Sequence, residues 1–200
     1  MGVVMTSKFK LAPEKIKENI AALQAFMAKQ NMDCFYVSSF DAYLNEYVPM
    51  SDCHRFYFTN FTGSVAEVLV PREGKVKLYV DGRYHEQADL ECDLSVVDVV
   101  KVGANRGILT ELKSDLSKMD LKNIGLEMDR TAYGFYSYLK DQGLEVKGLE
   151  NNALAEVVDF EKAPKLPKVQ ALDSKYIGRT TKDKLEMIIE NEKEAYFVTA

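Results

Sequence analysis

The stretch HRFYFTNFTGSVAEVLV, His54 to Val70, decides how the first half of this chain is read. From Arg55 to Phe61 aromatic residues alternate. Phe56 and Phe58 would fall on one face of an extended chain, Tyr57 and Thr59 on the other. Phe61-Thr62-Gly63-Ser64 is small and polar, and Val65 to Val70 is apolar and β-branched. The pattern predicts two strands joined by a loop. Such a loop can cradle an anion or approach a substrate, and it can also be only a turn. It lacks the lysine and the length of a phosphate-binding loop. Gly63 is expected to supply an unusual backbone angle, and Thr62 and Ser64 to bond nearby backbone groups.

Working outward, KVKLYV (Lys75–Val80) alternates again, with Val76, Leu78 and Val80 facing inward. With the two strands above it predicts an antiparallel meander. Upstream, Pro13 to Asn31 carries Ile16, Ile20, Leu23 and Met27 at helical spacing, and the short apolar run CFYVSS reads as a buried strand. Downstream, LSVVDVV, NIGLE and LEVKG read as strands. Helices are expected around Ile108–Leu116, over Thr131–Gln142 and, briefly, over Leu154–Phe160. Strands that first meander and then alternate with helices predict an α/β fold, a mixed β-sheet with helices on both faces.

Composition narrows the function. The 200 residues suffice for one α/β domain and a remainder. Lys and Arg total 26 against 31 Asp and Glu, a formal charge of -5, which argues against nucleic acid as the main partner. Cys34, Cys53 and Cys92 are separated and odd in number, as in a reducing cytosol. No segment approaches the length of a membrane span or a secretory leader. The expected location is cytoplasmic, with no membrane partner.

Candidate chemistry is sparse. Cys53 and His54 are adjacent, would point to opposite faces of a strand, and do not form a metal-ligand spacing. No metal site is predicted. In YVDGRYHEQAD (Tyr79–Asp89), Asp81 and Gly82 end a strand and a polar helix follows. Asp81 reads as its cap. Arg83 and Tyr84 are either part of that turn or a surface that meets a substrate or neighbouring chain. Asp41 and Glu46 read as solvated or paired with Arg55.

Four stretches in order resemble the amino-terminal domain of Xaa-Pro aminopeptidases, of the creatinase/prolidase superfamily. The first is Ser39-Phe40-Asp41-Ala42 running to Glu46-Tyr47. The second is Asp52-Cys53-His54-Arg55 followed by Phe61-Thr62-Gly63-Ser64. The third is Asp81-Gly82-Arg83-Tyr84 with Gln87-Ala88. The fourth is KYIGRTTKDKLEMI, similar to the family's joint into a second domain. His54 stands where the family has its first arginine. Asn60 replaces a glycine, which should stiffen the approach to the loop, and Val65-Ala66 replaces Ala-Gly.

The resemblance implies a three-domain metallopeptidase parent. That parent would remove the N-terminal residue preceding proline, using two divalent ions, manganese in many members, held in a catalytic domain that this sequence lacks. No catalytic or metal-binding residue is therefore expected here, and no cofactor. The implied partners are peptides with proline at the second position, the parent's own second and catalytic domains, and a second copy in a homodimer. Arg55, Arg83 and Tyr84 are the substrate-access or interface candidates. Asp41, Glu46, Tyr47, Asp52, Phe61, Gly63, Ser64, Asp81 and Gly82 form the structural motif.

The expected division is a first domain over 1–163, a linker rich in proline over 164–179, and the opening of a similar second domain over 180–200. The last part rests on a helix, at whose start Thr180 and Asp183 resemble a capping box, and an apolar run, AYFVTA, that echo the chain's first helix and strand. The alternative is a chance helix–strand unit. Two other functions stay open: a protein-binding module from a catalytically inactive peptidase homologue, and a small domain taking a phosphorylated ligand at Thr62-Gly63-Ser64.

Overall fold

A computed structural model describes residues 10–150, 152–162, 165, 168 and 170–190. The chain divides into two compact units, Met1–Ala163 and Pro164–Ala200. In the first unit a six-stranded sheet has the order β4-β3-β2-β1-β5-β6. Its strands are β1 (Cys34–Val37), β2 (Glu67–Pro71), β3 (Val76–Val80), β4 (Val97–Lys101), β5 (Asn123–Glu127) and β6 (Glu145–Leu149). β2 pairs antiparallel with both β1 and β3, and every other pairing is parallel. The sheet is mixed, as expected, and β2 alone runs against the rest.

Side-chain alternation sends each strand's residues into two cores. Phe35, Val37, Val68, Val70, Leu78 and Val80 pack under α1 (Pro13–Lys29), α2 (Phe56–Thr59) and Ala88 of α3 (His85–Glu91). Tyr36, Leu69, Tyr79, Ile124 and Leu126 pack under α4 (Ile108–Leu116) and α5 (Tyr133–Asp141). α1 begins at Pro13, where a proline loses no helical hydrogen bond, and buries Ile16, Ile20, Leu23 and Met27. Full burial of one such side chain contributes about 1.5–3 kcal/mol. Helices cover both faces.

The meander is real but is built from β1, β2 and β3. Arg55 to Phe61 is not a strand. Phe56–Thr59 is a single helical turn, in which the Asn60 amide donates to the Phe56 carbonyl at 2.8 Å. Asn60 ends the turn in the left-handed region, at φ 63°. Alternation misled because both aromatic faces are buried, Phe56, Tyr57, Phe58 and Phe61 alike. Asn19 on the inner side of α1 fixes the turn, its Nδ2 donating to the Tyr57 carbonyl at 2.8 Å.

At the opposite edge of the sheet Asp33 ties distant segments together. Its Oδ2 accepts from the amides of Lys122 and Asn123, both at 2.9 Å, and its Oδ1 accepts from the Arg72 guanidinium at 2.9 Å. The Asn123 amide bond is the main reason that its carboxyl lies below the usual range; burial opposes it. Leu154–Phe160 contributes one 3-10 turn, Ala153–Glu156, in place of a helix.

In the second unit α6 (Thr181–Ile189) starts with the expected capping box. The Asp183 amide donates to Thr180 Oγ1 at 3.2 Å, and the Thr180 amide donates to Asp183 Oδ2 at 2.8 Å. The AYFVTA strand expected after it lies outside the described residues.

Candidate functional site

The topology brings three of the four motif stretches to one edge. β1, β3, β4 and β5 run the same way and end there, while β2, running back, begins there. Ser38 and Ser39 follow β1, Glu67 opens β2, Asp81 follows β3 and Glu127 closes β5. The carboxyl ends of parallel strands are where open α/β sheets place their ligand-binding loops.

Arg55 organises this edge from inside. It is only 2% exposed. Its Nε donates to Ser39 Oγ at 3.3 Å, one terminal nitrogen to the Phe61 carbonyl at 3.3 Å, and the other to the Gly63 carbonyl. Its guanidinium lies 5.5 Å from the centre of the Phe61 ring. It pairs with neither Asp41 nor Glu46; of the two readings from sequence, solvated or paired with Arg55, Glu46 fits the first, being exposed, and Asp41 fits neither, being buried. Asp41 folds its own loop, accepting from the amides of Tyr43 at 2.9 Å and Asn45 at 3.0 Å. Burial opposes ionisation of Asp41. The bonds from Asn45 and Tyr43 and the Arg130 charge outweigh it and hold the carboxyl below its ordinary value.

The Phe61–Ser64 loop is held by side chains rather than by neighbouring backbone. Thr62 gives its amide and its hydroxyl to the Glu91 carboxylate, both at 2.8 Å, and Gln87 donates to Thr62 Oγ1 at 3.0 Å. Ser64 Oγ and the Tyr84 hydroxyl are 2.8 Å apart. A carboxylate already occupies the donors that an anion would need, so the geometry disfavours a phosphate cradle. Gly63 is not needed for its backbone angle, since the positive-φ glycines among the described residues are Gly74 and Gly143. It is needed for space. A Cβ there would lie 2.3 Å from Phe61 Cζ and 2.9 Å from Tyr84 Cδ1. Asn60 takes the left-handed backbone itself, and its side chain bridges the Leu11 amide and carbonyl, each at 2.9 Å.

Asp81 does not cap α3, whose N-cap is Tyr84 with no side-chain bond. Its carboxylate accepts from the Arg83 amide at 3.0 Å and from the Arg83 guanidinium at 2.8 Å. The Arg83 bond is the chief reason that the Asp81 carboxyl lies below its usual range. Arg83 remains 62% exposed over the Tyr84 ring, and Gly82 is exposed beside it. The exposed aromatic residues here are on the Asp41 loop, Tyr43 at 86% and Tyr47 at 79%, with Leu44 and Glu46 also exposed.

Sequence reasoning missed the buried acids. Glu67 Oε2 accepts from the Tyr36 hydroxyl at 2.8 Å and the Ser39 amide at 3.3 Å. Burial pushes its carboxyl up to about 7 against the pull of Tyr36, Arg55 and Ser39. Glu127 meets His54 Nδ1 at 2.9 Å, with Arg130 Nε 3.6 Å away. Arg130 donates to the Asp52 carbonyl at 2.8 Å and to Asp52 Oδ1 at 3.1 Å. The His54 ring stacks on Phe160 at 4.0 Å. The available signal was one acid inside each of two apolar runs, AEVLV and NIGLE. Among the described residues no group of three His, Cys, Asp or Glu side chains could hold a metal ion. The described residues do not fit a divalent-metal centre.

Known proteins agree with this architecture. The chain is 29% identical over 192 residues to Xaa-Pro aminopeptidase 1 of Dictyostelium discoideum, covering 89% of this chain and 30% of the relative. It superposes with a TM-score of 0.70 and 25% identity on an X-prolyl aminopeptidase from Caenorhabditis elegans, described as a cytosolic enzyme with a di-nuclear active site, covering 89% of this chain and 31% of that one. An Xaa-Pro aminopeptidase structure from Streptococcus pyogenes shares the fold, with a TM-score of 0.55 at 18% identity, covering 72% of this chain and 98% of that one. The chain thus spans about 30% of the length of the curated relatives that it matches. Residues 19–162 match the Creatinase/Prolidase N-terminal domain as a family, and the chain belongs to it.

Proposed function

We propose that this chain is the amino-terminal part of a cytosolic Xaa-Pro aminopeptidase, and that it shapes substrate access without supplying the catalytic groups. Peptides with proline second are the proposed substrates of the parent. The ions, proposed as a manganese pair, belong to a catalytic domain outside this sequence. The observation that carries the reading is the division of labour at the carboxyl edge. The buried charges there, Arg55, Glu67 and Glu127, are spent on holding loops, while Tyr43, Tyr47 and Arg83 are presented outward. This suits a surface that meets a peptide or another domain, and it suits hydrolysis poorly. Assembly with the parent's other domains and a homodimer belong to the same proposal.

The test uses the full-length parent carrying Tyr43→Ala and Tyr47→Ala together. The expected result is a kcat/KM that changes at least several-fold more for long Xaa-Pro peptides than for tripeptides. An identical length preference in the variant counts against the reading. The isolated chain, supplied with manganese, is expected to release no amino acid from such peptides. Chelator-sensitive turnover by pure chain would overturn its non-catalytic role.

A further inference from the structure

Arg130 is a buried cation that the proposed function does not use. It ends the 3-10 turn Met128–Arg130, directly after β5, and is 4% exposed. That turn is rooted at its base, where Thr131 Oγ1 donates to the Glu127 carbonyl at 2.7 Å. From there the guanidinium meets a residue 78 positions earlier in the chain. One terminal nitrogen donates to the Asp52 carbonyl at 2.8 Å, and the other to Asp52 Oδ1 at 3.1 Å.

An arginine that only neutralised Glu127 would turn its donors onto that acid. Here Glu127 Oε1 lies 3.6 Å from Arg130 Nε, beyond hydrogen-bond range, and Nε is buried with no hydrogen-bond partner among the described residues. The close contact of Glu127 is with His54 Nδ1, at 2.9 Å. A buried donor left unpaired is costly, and bonds from an ionised group are the stronger kind. The side chain accepts that cost at Nε and makes two such bonds, both to Asp52.

Asp52 closes the segment that Asp41 opens. The Asp52 amide donates to the Pro49 carbonyl at 2.8 Å, and the Cys53 amide to the Met50 carbonyl at 3.3 Å. At the other end Asp41 holds the amides of Tyr43 and Asn45, and the Arg130 charge acts on that carboxylate too. Between the two ends Val48 and Met50 pack against the first core, while Tyr43 and Tyr47 stand outward. We propose that Arg130 is the positioning residue of the 41–52 segment: through its fork on Asp52 it fixes where Tyr43 and Tyr47 stand relative to the end of β5. This role rests on the access reading above, in which those tyrosines meet the peptide.

The test is Arg130→Gln in the full-length parent, which keeps a polar side chain and removes the charge and the fork. Hydrogen exchange over 41–53 is expected to rise about tenfold. Exchange over 61–66, which Arg55 and Glu91 hold, is expected to stay as in the wild type. Arg130→Lys keeps the charge without the fork and should fall between the two. In kinetics, KM for long Xaa-Pro peptides should shift several-fold, with kcat and the tripeptide KM unchanged; a loss of folded enzyme would lower all turnover alike. Unchanged exchange over 41–53, or an equal rise over 61–66, overturns the positioning role. Faster exchange over 41–53 with an unaltered length preference upholds the anchor and counts against the access reading, so the two failures are told apart. Should Arg130→Gln fail to fold, Asp52→Ala removes one of the two acceptors at a side chain that is 41% exposed. A smaller rise confined to 41–53 is then expected, and its absence overturns the proposal.

Discussion

Three residues in the opening stretch each do a different job. Asn60 supplies a left-handed backbone and two bonds to Leu11. Asn60→Gly keeps the first and loses the second, whereas Asn60→Ala loses both. Denaturant unfolding should show Asn60→Ala as the less stable of the two by about 1 kcal/mol. Gly63 is defined by what surrounds it. Gly63→Ala forces the Phe61 and Tyr84 rings apart, and overpacking of this kind costs about 1–3 kcal/mol, read as a lower denaturation midpoint. His54 sits flat on Phe160 and faces Glu127. None of these roles was legible in the residues alone. Asn60 and His54 depend on partners far along the chain, and Gly63 on how the fold sets the Phe61 ring beside Tyr84. Legible instead was the clustering of polar and aromatic residues around the loop.

At the scale of elements, the pattern-based reading succeeded where one face was polar or the apolar spacing was helical. α1, β3, α4 and the capping box of α6 each announce themselves in that way. It failed at α2, because period-two alternation discriminates only when the second face meets water, and here every aromatic ring is covered. The same covered geometry makes α5 sensitive. Phe135 lies 4.4 Å from the Tyr36 ring, on the face opposite to α2. Phe135→Ala is expected to cost about 3–5 kcal/mol in equilibrium unfolding, with far-UV circular dichroism of the native state little changed. The capping box of α6 supports that helix locally, so Thr180→Ala should lower its helicity without moving the unfolding midpoint of the first unit.

For the whole molecule, the chain separates into units ending and beginning at Ala163 and Pro164. Lys165 and Lys168 lie exposed between the sheet domain and α6. Limited trypsin digestion should cut there before it cuts within α1 to β6, leaving a stable fragment of the first unit. Fold class was legible from the order of strands and helices. The strand order was not, because β1 pairs with β5 across most of the domain, and local pattern carries no record of that choice. The clip that fastens this pairing is Asp33. Its side chain accepts from residues 89 and 90 positions away, and its own amide donates to the Asn123 carbonyl at 2.9 Å.

That clip has a kinetic meaning. The antiparallel neighbours β1, β2 and β3 are connected by comparatively short spans and can meet early, whereas the Asp33 junction must wait for a loop of about 90 residues to close, an entropic barrier that grows with the logarithm of loop length. Asp33→Ala should therefore leave the refolding rate nearly unchanged and accelerate unfolding, the signature of a contact made after the rate-limiting step. One acid at the blunt end of the sheet would then govern how long the domain survives once formed rather than how quickly it forms.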